Sequence, residues 1–139
     1  MASIRSHVTR DLVVLDGTTA IREAARTMAE RRIGSVAVRD GGTVVGLVTE
    51  RDLVETVLAR GRDPAQPIRE AMRPALPRVA SEATEAECAA LMRDHATRHL
   101  LVEEGGKVVG VVSMRDIIQL MLDEKQYVIE QLNTYISGR

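Results

Sequence analysis

Apolar residues along the chain fall into two alternating rhythms. Valine-rich runs, Val36-Ala-Val38 with Val44-Val-Gly-Leu-Val48 and later Leu100-Leu-Val102 with Val108-Val-Gly-Val-Val112, have the density of strands buried on both faces. Other segments place apolar residues at helical spacing: Ile21, Ala24, Ala25 and Met28 in one, Cys88, Ala89, Leu91 and Met92 in another. Short strands are expected ahead of these helices, over 12–15 and 76–79. Thr84 followed by Glu87 makes a capping box for the later helix, while Thr18 and Thr19 offer a less regular start to the earlier one. Gly41-Gly42 and Gly105-Gly106 tolerate the positive φ of tight hairpins, and a further helix begins near Arg51 and again near Arg115. Residues 60–67 carry the Gly and Pro of a linker, followed by a turn of helix around 68–72. Beyond Leu122 the stripe Ile118, Met121, Val128, Leu132, Ile136 continues at helical spacing, which predicts an extended C-terminal helix.

The two halves of this pattern are copies. Asp40-Gly-Gly-Thr-Val-Val-Gly-Leu-Val-Thr-Glu-Arg-Asp52 reappears as Glu104-Gly-Gly-Lys-Val-Val-Gly-Val-Val-Ser-Met-Arg-Asp116. The same offset pairs Leu12 with Leu76, Glu23 with Glu87, Met28 with Met92 and Leu58 with Leu122 without a gap. The expected organisation is therefore an N-terminal arm with the first repeat over 1–60, a linker over 61–75, the second repeat over 76–122, and a helical extension over 123–139. A copy of about 50 residues is marginal alone, so the copies are expected to pack sheet against sheet about a pseudo-two-fold axis, with two equivalent clefts at the seam.

Composition narrows the function classes. The chain has 139 residues, 45% hydrophobic and 28% charged, and no apolar run long enough for a membrane helix. Its start lacks a signal-peptide pattern and a single cysteine builds no disulfide framework, so a cytoplasmic setting is expected. A net charge of −1 with two tyrosines and no Phe or Trp argues against nucleic-acid binding.

Candidate chemistry concentrates where each hairpin runs into a helix, at Gly46 to Asp52 and Gly110 to Asp116. A hydroxyl and exposed amides at a helix start favour a phosphate, a carboxylate three residues on can accept ribose hydroxyls, and the strand glycine lets a ligand approach the backbone. The same Thr49 and Ser113 also suit helix N-caps, with Asp52 and Asp116 as first-turn acids.

At these residues the chain resembles the CBS-domain family, in particular the tandem pair called a Bateman module, over about 12–122. The resemblance implies an α/β (α+β) fold of two β-α-β-β-α repeats, and an adenosine-containing ligand (AMP, ADP, ATP or S-adenosylmethionine) in the clefts between them. It implies phosphate contact for Thr49 and Ser113, and ribose contact for Asp52 and Asp116. Arg98 and His99 resemble the basic pair some members use on phosphate, where the first copy has Gly34 and Ser35, so the clefts should differ.

Other groups read as structural. Cys88 sits on an apolar helix face, and the Arg22, Arg26, Arg31, Arg32 cluster reads as a solvated helix face. His95 and His99 have metal-pair spacing, but the helix is expected to end between them. Ser113, His99 and Asp116 can be drawn as a triad, yet no nucleophile elbow surrounds them and the repeat does not duplicate the histidine. The reading is a ligand-sensing regulatory module without catalytic residues, metal or cofactor, assembled as a homodimer through the C-terminal helix. The alternative is a structural or interaction pair that has lost its ligand.

Overall fold

The computed structural model describes residues 3–73 and 76–138. In chain order the strands and helices are β1 (Val14–Asp16), α1 (Ile21–Arg31), β2 (Ser35–Asp40), β3 (Thr43–Thr49), α2 (Glu50–Asp52), β4 (Arg78–Ala80), α3 (Glu85–Asp94), β5 (His99–Glu104), β6 (Lys107–Ser113) and α4 (Met114–Ser137). They form two three-stranded sheets, β1-β2-β3 and β4-β5-β6, each with its first pair parallel and its second antiparallel. The short leading strands begin two residues later than the apolar pattern predicts.

Both hairpins turn on the predicted glycines, at φ 57° and 82° for Gly41 and Gly42 and 58° and 79° for Gly105 and Gly106. Two consecutive positive φ angles match the twist of the flanking strands, and only glycine takes them without strain. Each hairpin then slips register once, between Val38 and Arg39 and between Val102 and Glu103, directly beside Gly46 and Gly110. Thr84 is the N-cap of α3 and accepts from the Glu87 amide, one half of the expected capping box, whereas α1 starts at Ala20 with no side-chain cap.

Contacts divide the chain into one unit of Asp11–Leu76 and another of Met1–Arg10 with Pro77–Arg139. In the Asp11–Leu76 unit, Ile21, Ala24 and Met28 of α1 pack on Val36, Val38 and Val48. The segment read as a linker completes this core: a 3-10 turn at Ile68–Ala71 buries both of its end residues fully. Backbone bonds from Ile21 to the Gln66 carbonyl and from Ile68 to the Thr19 carbonyl fasten it there.

In the other unit Cys88 and Met92 of α3 pack on Leu100, Val102 and Val112, with Ile117 and Leu120 of α4 closing the core. The N-terminal arm, grouped by sequence with the first repeat, packs here. A 3-10 turn at Ile4–His7 buries Ile4 completely, the Ile4 amide donates to the Ala83 carbonyl, and Thr9 exchanges two backbone bonds with Val111. Arm and linker are themselves repeat-equivalent, since Ile4-Arg5 and Ile68-Arg69 stand at the same offset as the glycines. Among the described residues no helix is long and apolar enough to cross a membrane.

Candidate functional site

Each candidate site is a corner where a hairpin strand runs straight into a helix. In the Asp11–Leu76 unit Thr49 is the N-cap of α2. Its hydroxyl accepts from the Asp52 amide at 3.1 Å, and its own amide donates to Asp52 Oδ2 at 2.8 Å. Ser35 pairs with Thr49 across the hairpin, and the Glu50 amide donates to the Gly34 carbonyl at 2.9 Å. Asp52 is almost fully buried, at 3% exposure.

The second corner repeats this geometry with different neighbours. Ser113 caps α4, its amide and hydroxyl donating to Asp116 Oδ2 at 2.8 and 2.9 Å, and its oxygen accepting from the Asp116 amide at 3.1 Å. His99 is the cross-strand partner of Ser113, and the Arg98 carbonyl accepts from the Met114 amide at 2.8 Å. The fold thus gathers Arg98, His99, Ser113 and Asp116 at one corner, and Thr49 and Asp52 at the other. Arg98 is exposed and His99 and Asp116 are half-buried. Both hydroxyl-carboxylate pairs form complete capping boxes, which satisfy amides that a helix start otherwise leaves open.

The strand glycines have a role the sequence did not assign them. They were expected to admit a ligand; the protein's own chain occupies the space instead. A Cβ on Gly46 would collide with the Met72 sulfur, and one on Gly110 would lie 2.5 Å from the Thr9 carbonyl oxygen and from Val8 Cγ1. Val8 and Met72 are repeat-equivalent, so extending the offset of 64 upstream to Ile4 and Ile68 would have pointed to both segments.

The remaining groups resolve simply. Cys88 is fully buried, and burial with the nearby Glu87 charge pushes its thiol up to about 11, so it stays protonated near neutral pH. His95 caps the end of α3 while His99 opens β5, so no single helix aligns them.

The family model of the CBS domain matches residues 4–59 and 68–123. The chain belongs to the CBS-domain family. It carries two CBS domains in tandem, the arrangement of a regulatory module. An uncharacterised 17.7 kDa protein of Acidianus ambivalens is 33% identical over 117 residues, covering 83% of this chain and 70% of that one. A solved structure of an uncharacterised conserved protein from Pyrococcus horikoshii superposes with a TM-score of 0.79 at 30% identity, covering 86% of this chain and 92% of that one. A CBS-domain protein from Pyrobaculum aerophilum, solved in complex with AMP, matches with a TM-score of 0.70 at 30% identity, covering 82% of this chain and 88% of that one.

Proposed function

We propose that this tandem CBS pair senses an adenosine-containing nucleotide and acts by regulation, with no active site of its own. The observation that carries the reading is the duplicated strand-to-helix corner, in which a hydroxyl and a carboxylate are held together three residues apart at a helix start. The AMP complex of the Pyrobaculum aerophilum protein supports it. In this reading Asp52 and Asp116 take the ribose hydroxyls through carboxylate lone pairs outside the capping box, and Thr49 and Ser113 lie toward phosphate. Arg98 and His99 add donors for phosphate at the second corner alone, so the two sites bind unequally.

Calorimetry with AMP, ADP, ATP and S-adenosylmethionine tests this. At least one should bind at or below millimolar concentration, and Asp116→Ala should weaken it by roughly tenfold or more, the loss of hydrogen bonds to a charged group. Arg98→Ala leaves the capping box intact and should lose affinity chiefly for phosphorylated ligands. Failure of all four ligands to bind overturns the reading. A structural or interaction pair is then the better account, with the Thr49–Asp52 and Ser113–Asp116 capping boxes serving only to start their helices.

A further inference from the structure

The helix that follows each corner takes a different form in the two copies. After Asp116 the chain stays α-helical and buries Ile117 and Leu120, leaving Met121 51% exposed. After Asp52 it widens into a π turn over Leu53–Leu58, and here the residue buried in the core is Val57, the equivalent of exposed Met121. Thr56, the equivalent of buried Leu120, stays half-buried at the edge. The first copy thus presents its core residue one position later. Bonds from the Ala59 amide to the Val54 carbonyl and from the Arg62 amide to the Val57 carbonyl span five residues, one more than an α-helical turn takes in, which accounts for the shift.

The cause lies in one side chain. In the α register Thr56 would stand where Leu120 stands, facing apolar neighbours, and burying a hydroxyl without a partner is costly. In the π register that hydroxyl lies within bonding distance of two carbonyls, Asp52 at 2.6 Å and Ala71 at 3.2 Å. A threonine bonded to the carbonyl four residues back competes with the α-helical amide for that oxygen, which opens the turn. Arg62 secures the far side, its Nε donating to the Thr56 carbonyl at 3.0 Å. Thr56 is therefore tied at once to Asp52, the 3% exposed residue of the candidate site, and to the Ile68–Ala71 turn that completes the core.

We infer that Thr56 is the latch of a two-register helix: its hydroxyl holds the π register and joins the Asp52 corner to the Ile68–Ala71 turn, so that movement at the corner reaches the turn through this side chain. The other register is the one the second copy displays, on an identical strand, corner and capping box. Packed elements move between discrete arrangements of this kind more readily than they deform continuously. A ligand held by Asp52 acts on the turn by this route. That step alone rests on the nucleotide reading; the latch does not.

Amide hydrogen exchange on the full chain without ligand, read by NMR, tests the latch. Thr56→Val keeps the shape and removes the hydroxyl. Exchange at Ile68 and Met72 in the turn should quicken by about fivefold relative to Ala37 in the sheet of the same unit, the effect of losing one hydrogen bond, and Thr56→Ser should restore the wild-type rates. Thr49→Ala, which removes the cap at the corner, should quicken the same two amides when Thr56 is present and leave them unchanged beside Thr56→Val. A crystal structure of Thr56→Leu should show an α-helical turn with Val57 in solvent. Rates at Ile68 and Met72 that ignore Thr56→Val, a Thr49→Ala effect undiminished without the hydroxyl, or a π turn that persists in Thr56→Leu overturns the inference. Should Thr56→Leu fail to fold, the exchange rates decide alone. Absence of nucleotide binding leaves every one of these outcomes readable.

Discussion

The two units share one hairpin-and-corner plan and diverge at the next helix. After Asp52 the chain widens into a π-helical turn over Leu53–Leu58, with Ala59 bonded back to Val54 and Arg62 to Val57, and it leaves the helix at Gly61 with φ 65°. After Asp116 the helix continues without interruption to Ser137. The capping box therefore determines where a helix starts and has no influence on where it stops. In the first unit the helix is short, and the chain returns to supply Ile68 and Ala71 to its own core. In the second, the equivalent core position is filled by Ile4, from the far end of the chain, and α4 is left to carry an exposed stripe. Both units leave apolar residues of this helix exposed, Val54 and Leu58 in one and the equivalent Ile118 and Leu122 in the other, and only α4 carries the stripe further.

If arm and linker are truly equivalent, removing their buried anchors should cost the same. Ile4→Ala and Ile68→Ala should each destabilise by about 2–5 kcal/mol in urea unfolding, the usual range for a large-to-small change in a closed core. A loss under about 1 kcal/mol for Ile4→Ala alone would show that the arm only rests on the second unit.

The glycines should break the symmetry between the units. Gly110→Ala meets a backbone carbonyl, while Gly46→Ala meets the end of a flexible methionine. Overpacking costs about 1–3 kcal/mol, and Gly110→Ala belongs at the upper end with Gly46→Ala at the lower. Equal thermal shifts for the two variants would mean that the arm yields as easily as Met72.

Smaller effects come from the corners. Thr49→Ala and Ser113→Ala each remove an N-cap, worth about 1 kcal/mol. Melting curves should show the Ser113 change registering in helical circular dichroism more than the Thr49 change, because α4 is much the longer helix.

The smallest difference is electrostatic. Arg10 of the arm grips Glu104 at 2.7 Å, and this ion pair, helped by Ser81, holds the Glu104 carboxyl down at about 2. A folded-state value below the unfolded one stabilises fully above the ordinary value of 4.5, and that stabilisation is lost as pH falls toward 2. Both side chains are exposed enough for solvent screening to keep the contribution small. Arg10→Ala should flatten the acid side of the stability profile slightly, and an unchanged profile would remove the pair from the account of arm docking.

What could be read from the chain alone was whatever depends on neighbours in sequence. The duplication, the glycine hairpins, the Thr84 cap and the grouping of Thr49 with Asp52 and Ser113 with Asp116 follow from φ requirements and hydrogen bonds within three or four residues. Which surface receives Ile4, what fills the space beside Gly46 and Gly110, and which face of α4 stays in water were decided only by tertiary structure. The physical reason is that a glycine reports a close approach without naming what approaches, and an apolar stripe reports a need for cover without naming what supplies it. Segments distant along the chain meet those needs, and only their folded positions reveal which ones do.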